Sequence, residues 1–586
     1  MKHLLILLFI INLVYSNSDN HNQNKPNILF IYSDDHTFQA VSAYESFLSG
    51  VVETPNLDRI ANEGMLFENA FNTNSICTPA RATVLTGKYG HNNGLNTLDR
   101  AFDGSQQTFP KLLQKAGYYT AVVGKWHLKT MPTGFDYYNI MPVQGRYFNP
   151  IMTHTGMPWY QVPGGDPDIP YWRVEMDKPG GLYSKGIKEY KGHVTDVVTD
   201  ISLDVSKNRP KDKPFMIMYQ HKAPHDLFEY DKKYAELYKD IDIPEPISLN
   251  DNYDNRSTAI KRTIQKVHME YGDEFSEAVE DGEVIPKQDR YLFFPTLEYL
   301  HQYLHENKTD EFDDDLKLIK SNDNKLKKII KSIFGNNKNN KTNLSIEDRR
   351  ALAYQMYIKA YLRCVAGIDE NVGRVLDYLD KEGLSENTIV IYTSDQGFFL
   401  GEHNLFDKRF MYEESLRVPL LVRYPKIIKP GSITTDFAIN TDLAPTFLDL
   451  AGVDIPEDMD GVSFKPVLEG NTPDDWQTDM YYRYWMHRAH FNIPAHYGIR
   501  TERYKLIFYY GLPLDAKGSY QISTTPEWEL FDLEKDPNEM NNVYNDPNYS
   551  NIIKDLKVRL LELKDKYGDQ DEKYPELISV RKKFWK

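Results

Sequence analysis

Cysteine is almost absent: Cys77 and Cys364 are the only two in 586 residues. Disulfides therefore do not build this fold, and a chain of this length buries about three quarters of its unfolded surface without them. Positive charge is in deficit, with 69 Lys and Arg against 85 Asp and Glu and a net charge of −16. That balance excludes a broad basic footprint, so no nucleic-acid partner is expected. Long apolar runs are missing too. The longest, Leu4 to Ile11, falls short of the about 20 residues a membrane helix needs, so no transmembrane anchor is expected. Lys2 and His3 precede that run and the small Ser16 ends it. This pattern predicts a signal peptide over residues 1–16 and export to the periplasm or beyond. Two cysteines in an exported chain are odd, because disulfides are available there.

What is present is a set of short, continuously apolar runs, each ending in reactive side chains. Asn27–Tyr32 leads to Asp34-Asp35, and Thr120–Gly124 to Lys125-Trp126-His127. Phe215–Tyr219 leads to His221 and His225, and Thr388–Tyr392 to Asp395-Gln396. Unbroken hydrophobicity predicts strands covered on both faces, as in a mostly parallel sheet flanked by helices. Ligands bind such sheets beyond the carboxyl ends of the strands.

A helical stripe runs from Leu362 through Val365, Ile368, Val372 and Leu376 to Leu379, closed by Gly383. Residues 229–350 are charged and carry a Lys/Asn-rich tract at 325–341, which predicts a surface insertion. Beyond about 465, runs such as Tyr504–Tyr510 and Trp528–Leu533 predict an antiparallel sheet, with a helix near 550–567. The organisation expected is a catalytic α/β domain over 26–465, interrupted by that insertion, and a smaller α+β subdomain over 466–586.

The most specific segment is Cys77-Thr78-Pro79-Ala80-Arg81, continued by Leu85-Thr86-Gly87. Pro79 suits a first helical turn, which puts residue 77 at a helix N-terminus where free N–H groups favour an anion. Asp34, Asp35, Asp395 and Gln396 offer three carboxylates and an amide oxygen. Such a set suits a hard cation, Ca²⁺ before Mg²⁺.

The Cys77 segment resembles the maturation signature of the type I sulfatases, Cys-x-Pro-Ser/Ala-Arg followed by Leu-Thr-Gly. The resemblance extends over about 26–540 outside the insertion. It implies the alkaline phosphatase fold, a large mixed sheet flanked by helices. It also implies that a maturation enzyme oxidises Cys77 to formylglycine, whose hydrate is the nucleophile. Asp34, Asp35, Asp395, Gln396 and residue 77 would then hold Ca²⁺, although Gln396 stands where many relatives have Asn or His. By the same resemblance Arg81, Lys125 and Lys408 bind the sulfate, His127 contacts the hydrate, and His225 protonates the leaving sugar oxygen. His91 is a weaker candidate beside the centre.

For the substrate, the segments Tyr482–His490 and His496–Arg500 resemble C-terminal parts of bacterial carbohydrate sulfatases. They nominate His487, Arg488, His496 and Arg500 as sugar contacts. A ring-rich stretch including Tyr147, Trp159, Tyr160, Tyr171 and Trp172 offers stacking surfaces or simply loop packing. The expected substrate is a sulfated polysaccharide or its oligosaccharides, with an algal polymer such as ulvan favoured over a glycosaminoglycan. Two alternatives remain at this point: a formylglycine-dependent phosphonate monoester or phosphodiester hydrolase, and an inactive glycan-binding relative.

Overall fold

The computed structural model describes residues 25–141, 143–156, 188–226, 228–263, 265–267 and 346–585. The expected signal peptide, the rings Trp159, Tyr160, Tyr171 and Trp172, and the Lys/Asn-rich tract lie outside them.

The four apolar runs form β1 (Asn27–Asp34), β2 (Tyr119–Lys125), β3 (Phe215–Pro224) and β4 (Thr388–Ser394). They are neighbours, parallel to one another, in the order β4-β1-β3-β2 at the centre of a ten-stranded sheet. Strands Leu420–Arg423, Met65–Phe67 and Ser432–Thr434 extend the β4 edge, and Tyr137–Met141, Ile151–His154 and Lys188–Glu189 extend the other. Leu420–Arg423 and Ile151–His154 run antiparallel to their neighbours, so the sheet is mixed but mostly parallel in its middle.

Alternation along β1 explains its unbroken hydrophobicity. Leu29 and Ile31 pack on one side with α2 (Val194–Asn208) and α3 (Ile346–Lys381). Ile28, Phe30 and Tyr32 pack on the other with α1 (Cys77–Thr86) and α4 (Leu443–Leu450). Each such side chain contributes about 1.5–3 kcal/mol by leaving water, so both faces demand apolar residues.

The C-terminal part forms a separate antiparallel sheet of β5 (Asp479–Tyr484), β6 (His496–Thr501), β7 (Tyr504–Tyr509) and β8 (Glu527–Asp532). One face carries α5 (Ser550–Lys566), with Leu556, Leu560 and Leu563 against Tyr497, Leu506 and Leu530. The other face packs on the large domain through Met480, Tyr482, Tyr484, Ile507 and Phe531, which meet Phe399, Phe410, Met411 and Tyr412.

The stretch expected to open a surface insertion at 229 behaves differently. Tyr230, Tyr234, Ile243 and Leu249 are buried in the core that contains α3. Charged residues between them hid four large apolar anchors spaced too irregularly to give a period. At the far end, α3 begins at Ile346, inside the expected insertion.

Candidate active site

The centre is assembled at the carboxyl ends of the central strands. Asp34 closes β1, and Asp35 follows with a φ of 65°, turning the chain out of the sheet. The turn is pinned: the Asp35 carbonyl accepts from the Tyr361 hydroxyl at 2.7 Å, and its N–H donates to Asp395 Oδ1 at 3.1 Å. Asp395 and Gln396 follow β4, the strand paired with β1. Gly124 permits the approach from the opposite side. Its φ is 107°, and a Cβ there would lie 1.8 Å from the Gln220 carbonyl oxygen of β3.

Cys77 is the first residue of α1, as Pro79 predicts, and Gly87 in the left-handed region ends the helix. Every residue of α1 is buried. The thiol donates to Asp34 Oδ1 at 3.4 Å, and the Gln396 amide donates to the sulfur at 3.4 Å. Burial and the charge of Asp34 push the thiol far up, so an unmodified Cys77 stays protonated and is a poor nucleophile.

Around it, charges alternate. Arg81 donates through Nε to Asp395 Oδ2 at 3.0 Å and through Nη1 to the Lys125 carbonyl at 2.9 Å and Gln220 Oε1 at 3.2 Å. Lys125 Nζ pairs with Asp34 Oδ2 and sits 4.0 Å from the Cys77 sulfur. Lys408 Nζ pairs with Asp35 Oδ2, and His225 Nε2 is 3.7 Å from that same oxygen. His127 is fully buried, and burial together with Lys125 holds its ring well below its usual pKa, hence neutral. The six residues proposed from sequence as catalytic thus gather in one pocket.

The donor set fits a hard cation. Oxygens of Asp34, Asp35 and Asp395 lie within 4.8 Å of one another. Burial and the neighbouring charge of Asp34 push the Asp395 carboxyl up to about 8. Gln396 Oε1 is buried and makes no hydrogen bond among the described residues. Three crowded carboxylates and an unused amide oxygen suit a hard divalent cation held by oxygen ligands.

The nominated sugar contacts are placed otherwise. His487 receives the Ala495 N–H on Nδ1 at 3.1 Å, and its Nε2 lies 2.9 Å from the Ile522 carbonyl. His496 is fully buried among Tyr482, Tyr484 and Tyr509, with Nδ1 2.8 Å from the Pro494 carbonyl. Arg500 is paired with Glu413, and Arg488 Nε donates to Asn492. His91 stands against Tyr89, with Nε2 2.8 Å from the Tyr567 carbonyl, at the junction with the C-terminal subdomain. These contacts all lie within the protein, and Arg488 and His91 remain half-buried rather than fully enclosed.

Sequence reasoning missed several neighbours of the centre. Gln220 orients Arg81, and its position directly after the apolar run Phe215–Tyr219 was the available signal. Arg409 has a φ of 94° and pairs with Asp407 at 3.0 Å, which places both beside Lys408. His490 is held well below its usual pKa by burial and by Arg409 and Lys408, so it belongs to the same wall. No sequence spacing links 409 to 490.

Comparison with known proteins agrees with this geometry. A family model described as Sulfatase matches residues 26–453, and one described as N-sulphoglucosamine sulphohydrolase, C-terminal, matches 401–566. The chain is 38% identical over 568 residues to an N-acetylglucosamine-6-O-sulfatase of Bacteroides thetaiotaomicron, spanning 96% of this chain and 90% of that one. A solved structure in complex with its substrate D-glucosamine-2-N,6-O-disulfate superposes with a TM-score of 0.73 at 37% identity, over 94% of this chain and all of the other. An ulvan-active sulfatase of Formosa agariphila is 24% identical, over 93% of this chain and 82% of the relative. The strand-end carboxylates, the buried Cys77 helix and these matches along almost the whole chain have one reading: the protein belongs to the sulfatase family of the alkaline phosphatase superfamily, the hydrolases of sulfuric esters.

Proposed function

We propose that this sulfatase removes the 6-O-sulfate of a glucosamine-type residue, N-acetylated or N-sulfated, in a sulfated glycan. The observation that carries this reading is the 38% identity to an N-acetylglucosamine-6-O-sulfatase over 96% of this chain. Its counterpart for the algal expectation is a relative at 24%, so the weight moves from ulvan to an amino sugar.

Asp34, Asp35, Asp395 and Gln396 would hold Ca²⁺, whose charge polarises sulfate oxygens and favours an ionised oxygen nucleophile. Formylglycine at residue 77 supplies that oxygen as its hydrate. The chain's own residues do the rest. Arg81 is clamped by Asp395, Gln220 and the Lys125 carbonyl, so its guanidinium is preorganised rather than recruited. Lys125, 4.0 Å from the Cys77 sulfur, and Lys408, paired with Asp35, present ammonium groups that neutralise the sulfate oxygens. Neutral His127 is able to take up a proton, and His225 Nε2 gives one to the departing sugar oxygen.

The test is sulfate release measured side by side on 6-O-sulfated N-acetylglucosamine, D-glucosamine-2-N,6-O-disulfate, sulfated rhamnose/uronate oligosaccharides from ulvan, and a phosphodiester. The 6-O-sulfated amino sugars should have a kcat/KM at least about tenfold above the others. Preferential turnover of the ulvan fragments or the diester would refute the assignment.

A further inference from the structure

The geometry points to Asp226 as the residue that positions His225 for proton delivery, an inference that rests on the reading of His225 as the proton donor. His225 Nδ1 faces two acceptors of the next residue, the Asp226 carboxylate, with which it ion-pairs, and the Asp226 carbonyl oxygen at 3.1 Å. Neither acceptor has a proton to offer, so Nδ1 carries its hydrogen in either charge state of the ring. Nε2, 3.7 Å from Asp35 Oδ2, is therefore the nitrogen that exchanges a proton at the centre.

The backbone beneath the ring is held as firmly. The Tyr147 hydroxyl, itself buried, donates to the His225 carbonyl at 2.6 Å. Lys222 Nζ lies 4.8 Å from the Tyr147 ring and 3.5 Å from the Asp226 carbonyl oxygen. The Asp226 side chain keeps 43% of its surface in solvent, so filling the core is not its role.

In the step that Asp226 supports, the Nε2–H bond of the imidazolium breaks as an O–H bond forms on the departing sugar oxygen. The S–O bond to the sugar breaks as sulfur takes up its bond to the nucleophilic oxygen at residue 77, and the electron pair left on the sugar oxygen receives that proton. His225 is left neutral with its hydrogen on Nδ1, and Asp226 remains a carboxylate throughout.

The experiment compares two leaving groups. A sugar sulfate must leave as an alkoxide unless protonated, whereas 4-nitrophenyl sulfate releases a stable phenolate. Asp226→Ala in the matured, metal-replete enzyme should lower kcat on the sugar sulfate by about 10- to 100-fold, a share of what a general acid contributes, with KM within about threefold. Turnover of the aryl sulfate should fall by less than about threefold, which also reports that the variant is folded. Asp226→Glu should recover part of the loss, and Asp226→Ala should add nothing once His225 is alanine. Equal losses on both substrates, no loss on the sugar sulfate, or additivity with His225→Ala would each overturn the proposal. Any sugar sulfate that the wild type turns over serves, so an error in the 6-O assignment leaves the test intact. A His225→Ala variant that ignores the leaving group would overturn this proposal and the role of His225 together.

Discussion

Arg500 of the C-terminal sheet pairs with Glu413, five residues beyond Lys408 in the other domain, Nη2 to Oε2 at 3.2 Å. Lys505 reaches the same carboxylate at 2.8 Å and also holds Glu539 at 2.7 Å. Burial pushes the Glu413 carboxyl up, but Arg500 and Lys505 outweigh it and hold it below the usual range. Arg500→Ala leaves part of that buried charge uncompensated. It should cost about 3 kcal/mol in urea unfolding and lower kcat by slackening the segment that carries Lys408. An unmoved unfolding midpoint with unchanged kcat would refute this coupling.

Cys77→Ala and Cys77→Ser should both fold with a wild-type melting temperature in the presence of Ca²⁺, since residue 77 is small and sits at the start of a fully buried helix. Neither should sustain turnover. Alanine has no nucleophile, and a serine oxygen has no second hydroxyl with which to expel sulfate, so activity should fall by more than about 10³-fold. Sustained multiple turnover by the serine variant would exclude the hydrate.

Metal removal should weaken the fold as well as the activity. Three carboxylates within 4.8 Å of one another repel when a chelator strips the site. Ca²⁺ at 100 times its dissociation constant should restore about 2.7 kcal/mol relative to the stripped protein. Gln396→Leu should weaken Ca²⁺ binding by about tenfold in titration calorimetry, by removing one oxygen ligand. An unchanged affinity would remove Gln396 from the ligand set.

The fold's outline was legible because burial writes itself into strands. The runs at 27, 120, 215 and 388 had to be apolar on both faces, and they became the four central neighbours. The Cys77 helix was legible from Pro79. What stayed hidden depends on approach in space: nothing in sequence places Glu413 opposite Arg500, which the segment resemblance nominated as a sugar contact. The Asp407–Arg409 pair and His490 meet only when the C-terminal subdomain docks. The packing of Tyr230 and Tyr234 into the α3 core was masked by the charged residues around them.

His496 gives a test of its own placement. Burial lowers its pKa to about 4 from a usual 6.5, so the folded state resists a proton that the unfolded chain accepts. Its contribution is intact above about pH 6.5 and is lost as pH falls towards 4, at up to about 1.4 kcal/mol per pH unit. His496→Phe should flatten the acid limb of the stability profile by up to one proton while leaving KM for the sugar sulfate unchanged. A raised KM with an unaltered acid limb would return His496 to the substrate.

The strand order has a consequence for how the chain matures. β1 ends at Asp34, yet its partner strands are completed only at residues 224 and 394. During synthesis the first apolar strand must wait for some 350 further residues before both of its edges are covered, a separation that slows folding and prolongs exposure of a sticky edge. The clustered carboxylates of Asp34 and Asp395 therefore come together among the last events of folding. A nascent chain stalled before residue 388 would carry the cysteine, the arginine and the first lysine of the centre but could not close it.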